Sequence, residues 1–206
     1  MPTLNAPFGM LPHRNSSAAP YALQTTRYFV RAANTDAFYI GSPVKLHASA
    51  DAFGVAGVTV AAGTDALVGA VTGVEPVNVG VVSQVGGTLG LETVSVPATK
   101  ARDYYVYVAD DPMQIFEIQG DSTATNQIAG NANLNCSLTI AAPSPATAAT
   151  SATVVSSSTI ASTNTLNIRL MGLVPVTENS RRGFGAFSVY KCKINAHQYA
   201  NLIAGV

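Results

Sequence analysis

Residues 104–121 constrain the fold most, because they contain two alternating strand patterns separated by a turn. The turn is Asp110-Asp111-Pro112, in which proline presets φ and aspartate bonds the nearby backbone. Successive side chains of a strand point to opposite faces, and here both faces of both strands carry apolar groups. Such strands are typical of a central position in a β-sandwich or barrel. The segment therefore predicts a central β-hairpin in an all-β core.

The chain from residue 27 onward continues this β pattern. Its turn signals recur about every eight to twelve residues, which favours a sandwich or barrel over βαβ units. We predict an all-β fold, with a jelly-roll-like sandwich or barrel preferred and two small β subdomains, one of them a small barrel, as the alternative. Residues 27–206 form the β domain. The charged residues Lys100, Arg102 and Asp103 are compatible with a subdomain seam near residues 98–103.

Residues 1–26 form a separate segment that holds four prolines among Asn, Ser and Ala. This composition disfavours a helix or a central strand and predicts an extended, proline-rich arm. Large apolar side chains make a docked arm a better interpretation than a disordered tail. The candidate anchors are Leu4, Phe8, Met10, Leu11 and Tyr21.

The charge balance bears on the partners of the protein. Eleven basic and eleven acidic side chains cancel, and charged residues make up 11% of the chain, against about 25% in an average soluble domain. This composition predicts no binding to nucleic acid or to an anionic membrane. It suits packing against other protein, or a carbohydrate-rich setting. The sequence also has no stretch that predicts a transmembrane helix or a secretion signal.

The cysteines and histidines suggest no metal or redox chemistry. Cys136 and Cys192 lie among alternating apolar positions, so we predict buried free thiols, with a disulfide as the less favoured alternative. Two cysteines and three scattered histidines do not make a zinc site. No phosphate-binding loop or Gly-x-Ser-x-Gly elbow is present. We therefore expect no cofactor and no metal.

Three further side chains are candidates for a catalytic role. His197 could act as a base, but the sequence names no partner for it, and a structural or surface histidine is the default interpretation. Asp110 and Asp111 could in principle form the carboxylate pair of a glycosidase, yet side chains adjacent in a turn diverge. The sequence therefore predicts that the protein is not an enzyme.

Several short motifs follow one another along the chain. They are Pro7-Phe8-Gly9-Met10-Leu11-Pro12, Gly41-Ser42-Pro43-Val44, the Gly63-Thr-Asp stretch up to Gly73, Asp110-Asp111-Pro112 with the strand ending at Gln119, Gly130-Asn131-Ala132, Ile168-Arg169-Leu170-Met171-Gly172-Leu173 and Ile194-Asn195-Ala196-His197. Taken in this order, the motifs resemble the capsid decoration (cement) proteins of tailed bacteriophages. In the second motif, that family's turn usually has Asp where this chain has Ser42.

This resemblance implies a non-enzymatic virion structural protein that binds the outer surface of the capsid lattice and stabilises it. The partners would be the major capsid protein and further copies of the chain, as a dimer or trimer. The protein would be made in the bacterial host cytoplasm and end on the capsid surface. The arm residues Leu4, Phe8, Met10, Leu11 and Tyr21 would then bind the capsid. The alternative is a carbohydrate- or receptor-binding β module of a virion fibre or tail component.

Overall fold

The computed structural model describes residues 5–15, 22, 24–77, 94–123, 128–144, 149–174 and 185–200. Within these ranges the secondary structure is strands and two short 3-10 turns, Ala129–Asn131 and Ser157–Thr159. The predicted all-β class is therefore confirmed. The strands are β1 Leu11–Asn15, β2 Thr26–Val30, β3 Phe38–Tyr39, β4 Pro43–Ala50, β5 Ala56–Val60, β6 Gly69–Pro76, β7 Ser95–Val96, β8 Tyr104–Ala109, β9 Gln114–Gln119, β10 Asn135–Cys136, β11 Leu138–Thr139, β12 Val154–Val155, β13 Ile168–Leu173 and β14 Val189–Ile194.

Five strands close into a barrel in the order β2-β5-β4-β6-β8. The pairs are antiparallel except for β2 and β5, which run parallel where Phe29 lies opposite Gly57. Aromatic and β-branched residues fill one core cluster, as expected for a small barrel whose side chains occupy its interior. This cluster contains Tyr28, Val30, Phe38, Val44, Val58, Val68, Val71, Val96, Val106 and Val108.

Five further strands form an antiparallel sheet in the order β1-β9-β14-β13-β10. One face of this sheet packs against the outside of the barrel and forms a second core cluster. The barrel contributes the small residues Ala61, Ala70 and Ala109 and the larger Leu67. Small side chains let the barrel wall approach the sheet closely, so residues of both units contribute to the sheet cluster.

The sequence prediction for residues 104–121 is right about the strands and wrong about their pairing. β8 pairs with β2 and β6 in the barrel, whereas β9 pairs with β1 and β14 in the sheet. The turn Asp110-Asp111-Pro112 therefore carries the chain from the barrel to the sheet and does not close a hairpin. The apolar character of both faces of β8 fits this position, because Val108 faces the barrel cluster and Ala109 faces the sheet cluster.

The jelly-roll arrangement is not confirmed. The structure combines a closed barrel with a five-stranded sheet, and the division into two subdomains stays a prediction. The seam near residues 98–103 stays a prediction. In this segment, Lys100 Nζ donates to the carbonyl oxygens of Asn34 and Asp36, both at 2.6 Å. These bonds hold the segment against the loop that follows β2.

The part of the predicted arm that the structure describes packs on the chain's own body. Leu11–Asn15 form β1 at the edge of the sheet, with a register shift between Pro12 and Arg14. Met10 is fully buried in the sheet cluster. An extended, proline-containing segment suits an edge strand, where an absent N–H does not interrupt a ladder.

Both cysteines are free and buried, as predicted. Burial raises the pKa of the Cys136 thiol to about 12 and raises that of Cys192 well above its usual value. Both groups are therefore neutral thiols that act as small apolar side chains in the sheet cluster.

Candidate interaction site

Two of the motifs that carry the family resemblance meet in space. Gly9 and Gly41 both have positive φ, 72° and 82°, and the Met10 N–H donates to the Gly41 carbonyl oxygen at 2.9 Å. A Cβ on Gly9 would collide with that carbonyl oxygen, and a Cβ on Gly41 would lie 2.5 Å from the Phe8 carbonyl oxygen. Glycine is thus required on both sides of the contact, which fixes the N-terminal segment on the barrel.

The predicted capsid-binding residues fall into different environments. Met10 is 0% exposed and belongs to the core of its own domain, a role that the sequence did not indicate. Phe8 and Leu11 are half-buried, and Leu11 lies opposite Glu117 in the sheet. Leu4 and Tyr21 lie outside the described residues. The structure therefore leaves Phe8 and Leu11 as partly accessible members of the predicted set.

Other motif residues tie the barrel to the sheet. The buried Asn167 donates through Nδ2 to the carbonyl oxygens of Gly63 and Asp65, both at 3.0 Å. The Asn195 N–H donates to the Asn167 carbonyl oxygen at 2.8 Å. The Gly63 and Asn195 motifs thus have structural roles at the contact between the two units.

The two candidate carboxylates point to different partners. Asp110 accepts hydrogen bonds from Tyr28 Oη at 2.7 Å and from Thr26 Oγ1 at 3.0 Å, both on β2. Asp111 accepts from the Met113 N–H at 2.7 Å and so caps its own turn. The side chains diverge, as the turn geometry predicted. Within the described residues, these contacts make both carboxylates part of the connection between barrel and sheet.

His197 is a buried residue at the same connection. It is 1% exposed, and its Nδ1 accepts a hydrogen bond from the Tyr199 N–H at 3.1 Å. Burial lowers the pKa of this imidazole, more than the nearby carboxylates of Asp110 and Asp111 raise it. These contacts are those of a neutral, structural histidine. We expect His197 to affect the stability of the fold.

The side chain that stands out on the surface is Phe53, which the sequence analysis did not single out. It lies at the tip of the turn between β4 and β5 and is 91% exposed. The sequence signal was an aromatic residue directly before a glycine in an Asp-containing turn, where polar residues are usual. An aromatic residue at a turn tip is available to a partner and contributes nothing to the core.

Local hydrogen bonds hold this tip in one conformation. Asp51 Oδ1 accepts from the N–H groups of Phe53 and Val55, both at 2.8 Å. The Asp51 N–H donates to the Val55 carbonyl oxygen at 3.1 Å, and Gly54 takes up the positive φ of 84° that the turn requires. The backbone that carries Phe53 is therefore ordered before any partner arrives.

The tip is also braced from the barrel wall. Tyr105 Oη on β8 donates to Asp51 Oδ2 at 2.6 Å, and the Arg27 guanidinium lies 3.6 Å from the centre of the Tyr105 ring. The Tyr105 hydrogen bond lowers the pKa of Asp51, and it also raises the pKa of Tyr105. Asp51 therefore stays ionised near neutral pH and keeps its acceptor role in the turn.

Comparison with protein-family models, curated protein sequences and solved structures gave no match for this chain. The resemblance to phage decoration proteins therefore rests on the short motifs alone and stays a prediction. Within the described ranges, the chain contains no helix with the length and apolar character needed to cross a membrane. The same residues contain no group of three or more His, Cys, Asp or Glu side chains that could hold a metal ion.

Proposed function

We propose that this chain is a non-enzymatic capsid decoration protein that binds the outer surface of a phage capsid lattice and stabilises it. The motifs shared with that family support the proposal, as does the low charge of the chain, 11% of its residues. A protein with few charges binds mainly through apolar and neutral polar contacts, so its partner is a protein surface and not nucleic acid.

The observation that carries the proposal is the rigid presentation of Phe53. Aromatic residues are enriched among the interface residues that contribute most to binding. A large apolar side chain in water gains free energy when a partner covers it, by about 1.5–3 kcal/mol if it is fully buried. Because Asp51 and Gly54 already order the turn, little of that gain is lost to fixing the backbone.

Repetition on a lattice strengthens a modest individual contact. A homo-oligomer that presents one Phe53 from each copy engages several capsid subunits at once, and the linked sites raise the overall affinity by effective concentration. This arrangement needs no large interface in each copy. It also fits the half-buried Phe8 and Leu11, which are available for secondary contacts.

Co-sedimentation with mature capsids that have been stripped of the protein tests the proposal. The wild type should bind saturably, at a fixed ratio to the major capsid subunit, and should bind nearly as well at high salt because few ion pairs are present to screen. Phe53→Ser should weaken binding by about tenfold or more. Ile128→Ser is the matched control, since Ile128 is also exposed, at 54%, but lies beside a different turn.

The result against the proposal is the absence of capsid binding by a wild-type protein that circular dichroism shows to be folded. That result would favour the carbohydrate- or receptor-binding module of a fibre or tail component, and a glycan-binding screen would then be the next measurement. Equal capsid binding by wild type and Phe53→Ser would remove Phe53 as the anchor, and the decoration role would then rest on the shared motifs alone.

A further inference from the structure

A cavity of about 220 Å³ lies where the ends of β13 and β14 meet the turn before β9. Arg169 of β13 and Lys193 of β14 contribute its two cationic side chains. Its remaining lining is largely apolar or neutral. That lining consists of Pro112, Met113, Ile194, Asn195, His197 and Ala200.

The two cations are direct neighbours across the strands. Arg169 and Lys193 are register partners in the antiparallel pair of β13 and β14. Side chains at directly opposite positions have Cβ atoms only about 5 Å apart, and like charges there destabilise the sheet. The next lysine on the same strand, Lys191, has a carboxylate-bearing residue, Glu117, as its register partner in β9.

Among the described residues, no carboxylate forms an ion pair with either of these two cations. The two ion pairs within the described residues are His13–Glu117 and Lys45–Asp65, neither of which involves Arg169 or Lys193. Arg169 donates through Nε to Asn135 Oδ1 at 3.1 Å. Lys193 Nζ lies 3.1 Å from Met113 Sδ, and a thioether is a weak acceptor.

The acidic side chains closest in sequence to the cavity are engaged elsewhere. Asp110 accepts from Thr26 and Tyr28 on the barrel, and Asp111 accepts from the backbone of its own turn. Both carboxylates contribute negative potential nearby, but these hydrogen bonds are not with the two cations. The cavity thus combines two adjacent positive charges with walls that are part apolar and part polar.

We propose that this cavity binds an aliphatic carboxylate between Arg169 and Lys193. The guanidinium offers several donors in a planar fork, of which Nε already bonds Asn135, and the ammonium is a compact point charge. The apolar lining accepts the methylene stem of such a ligand. Ligand pockets usually span roughly 300–1,000 Å³, so a site of about 220 Å³ takes a group the size of one acidic side chain or a short dicarboxylic acid. The inference does not depend on the capsid proposal.

Titration of the isotope-labelled full chain with glutarate, followed by NMR of the backbone amides, tests the site. Saturable shifts at residues 169, 193 and 195 are expected with glutarate and not with its neutral diamide. Arg169→Gln and Lys193→Gln should each weaken glutarate binding by about tenfold or more, because each removes a charge-assisted hydrogen bond. Lys191→Gln is the control, since it removes an equal charge from the same strand at a position opposite Glu117.

Two outcomes would overturn the inference: no saturable shift with glutarate, or equal binding by Lys193→Gln and Lys191→Gln. A blocked Gly-Glu-Gly peptide and its Gly-Gln-Gly counterpart identify the source of the carboxylate. Tighter binding of the glutamate peptide than of glutarate would assign the site to an acidic side chain of a protein partner. Binding of glutarate alone would assign it to a free organic acid.

Discussion

Gly9 is a residue at which backbone conformation and close packing act together. Its φ of 72° is in the left-handed region, and a Cβ there would also meet the Gly41 carbonyl. Gly9→Ala should therefore lower the free energy of unfolding by about 2 kcal/mol or more, measured by chemical denaturation. Gly54→Ala is the matched control, because Gly54 has a φ of 84° but a Cβ added there would have no other atom within 4 Å.

The control should cost only the backbone strain, about 1–2 kcal/mol. The difference between the two variants then measures the contact between the N-terminal segment and the barrel. If Gly9→Ala and Gly54→Ala are equally stable, this contact does not hold the segment in place in solution.

His197 predicts a pH dependence of stability. Burial lowers the pKa of its imidazole in the folded state, so the unfolded chain binds the proton more readily. Stability should fall as the pH drops below about 6.5, the ordinary histidine pKa, with a limiting slope of about 1.4 kcal/mol per pH unit for one proton. His197→Gln should flatten this dependence in denaturation experiments between pH 7 and pH 5.

The range from pH 7 to pH 5 lies above the pH at which the carboxylates of Asp51 and Asp65 titrate. The pKa values of Asp51 and Asp65 are lowered by Tyr105 and Lys45 respectively, so their contribution is complete above the ordinary aspartate pKa of about 3.9 and is lost only at lower pH. His47→Gln, at an exposed site, controls for the loss of an imidazole. An unchanged slope in His197→Gln would mean that the buried histidine does not couple folding to pH.

At the scale of elements, the N-terminal segment is part of the sheet. β1 pairs with β9, and Met10 fills the sheet cluster. Deletion of residues 1–10 should therefore lower stability by at least the amount lost in Met10→Ala, about 2–5 kcal/mol. Urea denaturation measures both variants, and deletion of residues 1–4 isolates the contribution of residues 5–10. A fully stable protein that lacks residues 1–10 would show that the segment is dispensable for the fold.

The packing of the N-terminal segment into the sheet determines how a truncation of that segment should be interpreted. Loss of capsid binding after N-terminal truncation does not separate a lost contact from a weakened fold. Single substitutions at the half-buried Phe8 and Leu11 are the better probes, each checked for stability before capsid binding is compared.

For residues 104–119, the sequence predicted the positions of the strands correctly but not which neighbouring strands they pair with. Alternation in residues 104–119 shows which side chains share a face, but it does not state which neighbour a strand pairs with. The turn Asp110-Asp111-Pro112 is compatible both with a hairpin and with a crossing between two units. Tertiary packing decided between them, because Ala109 and Leu67 complete the core of the sheet from the barrel side.

The candidate sites could not be predicted from the sequence for the same reason, because they depend on tertiary packing and strand pairing. Met10 resembled one more anchor of an arm, since burial against distant strands leaves no mark on the local sequence. Phe53 gave little signal because an isolated aromatic residue near Gly54 is equally compatible with the start of the following strand. Arg169 and Lys193 became neighbours only through the register of β13 and β14.

At the scale of the whole molecule, barrel and sheet should unfold together. Leu67 lies in the connection between β5 and β6 of the barrel, yet it is 0% exposed and belongs to the sheet cluster. Its N–H donates to the Ala196 carbonyl oxygen at 2.9 Å. Leu67→Ala should lower stability by about 2–5 kcal/mol. Hydrogen exchange should show equal loss of protection in β8 and β9, one from each unit, as expected for a single cooperative transition.

The comparison variant is Val58→Ala, which removes methyl groups from the barrel interior instead. Val58→Ala too should lower the hydrogen-exchange protection of β8 and β9 equally if barrel and sheet unfold as one cooperative unit. Loss of protection in β8 alone after Val58→Ala would show that the barrel unfolds independently of the sheet.

In the proposed role of Phe53, the self-contained turn that carries it separates partner binding from folding. The turn is held by the Asp51 carboxylate and by the positive φ of Gly54. The side chain of residue 53 takes no part in these interactions, so the turn does not depend on its identity. A new side chain at that position would alter which surface the protein prefers while the scaffold stays the same. If Phe53 binds the partner as proposed, single substitutions at residue 53 should change the partner without a loss of stability.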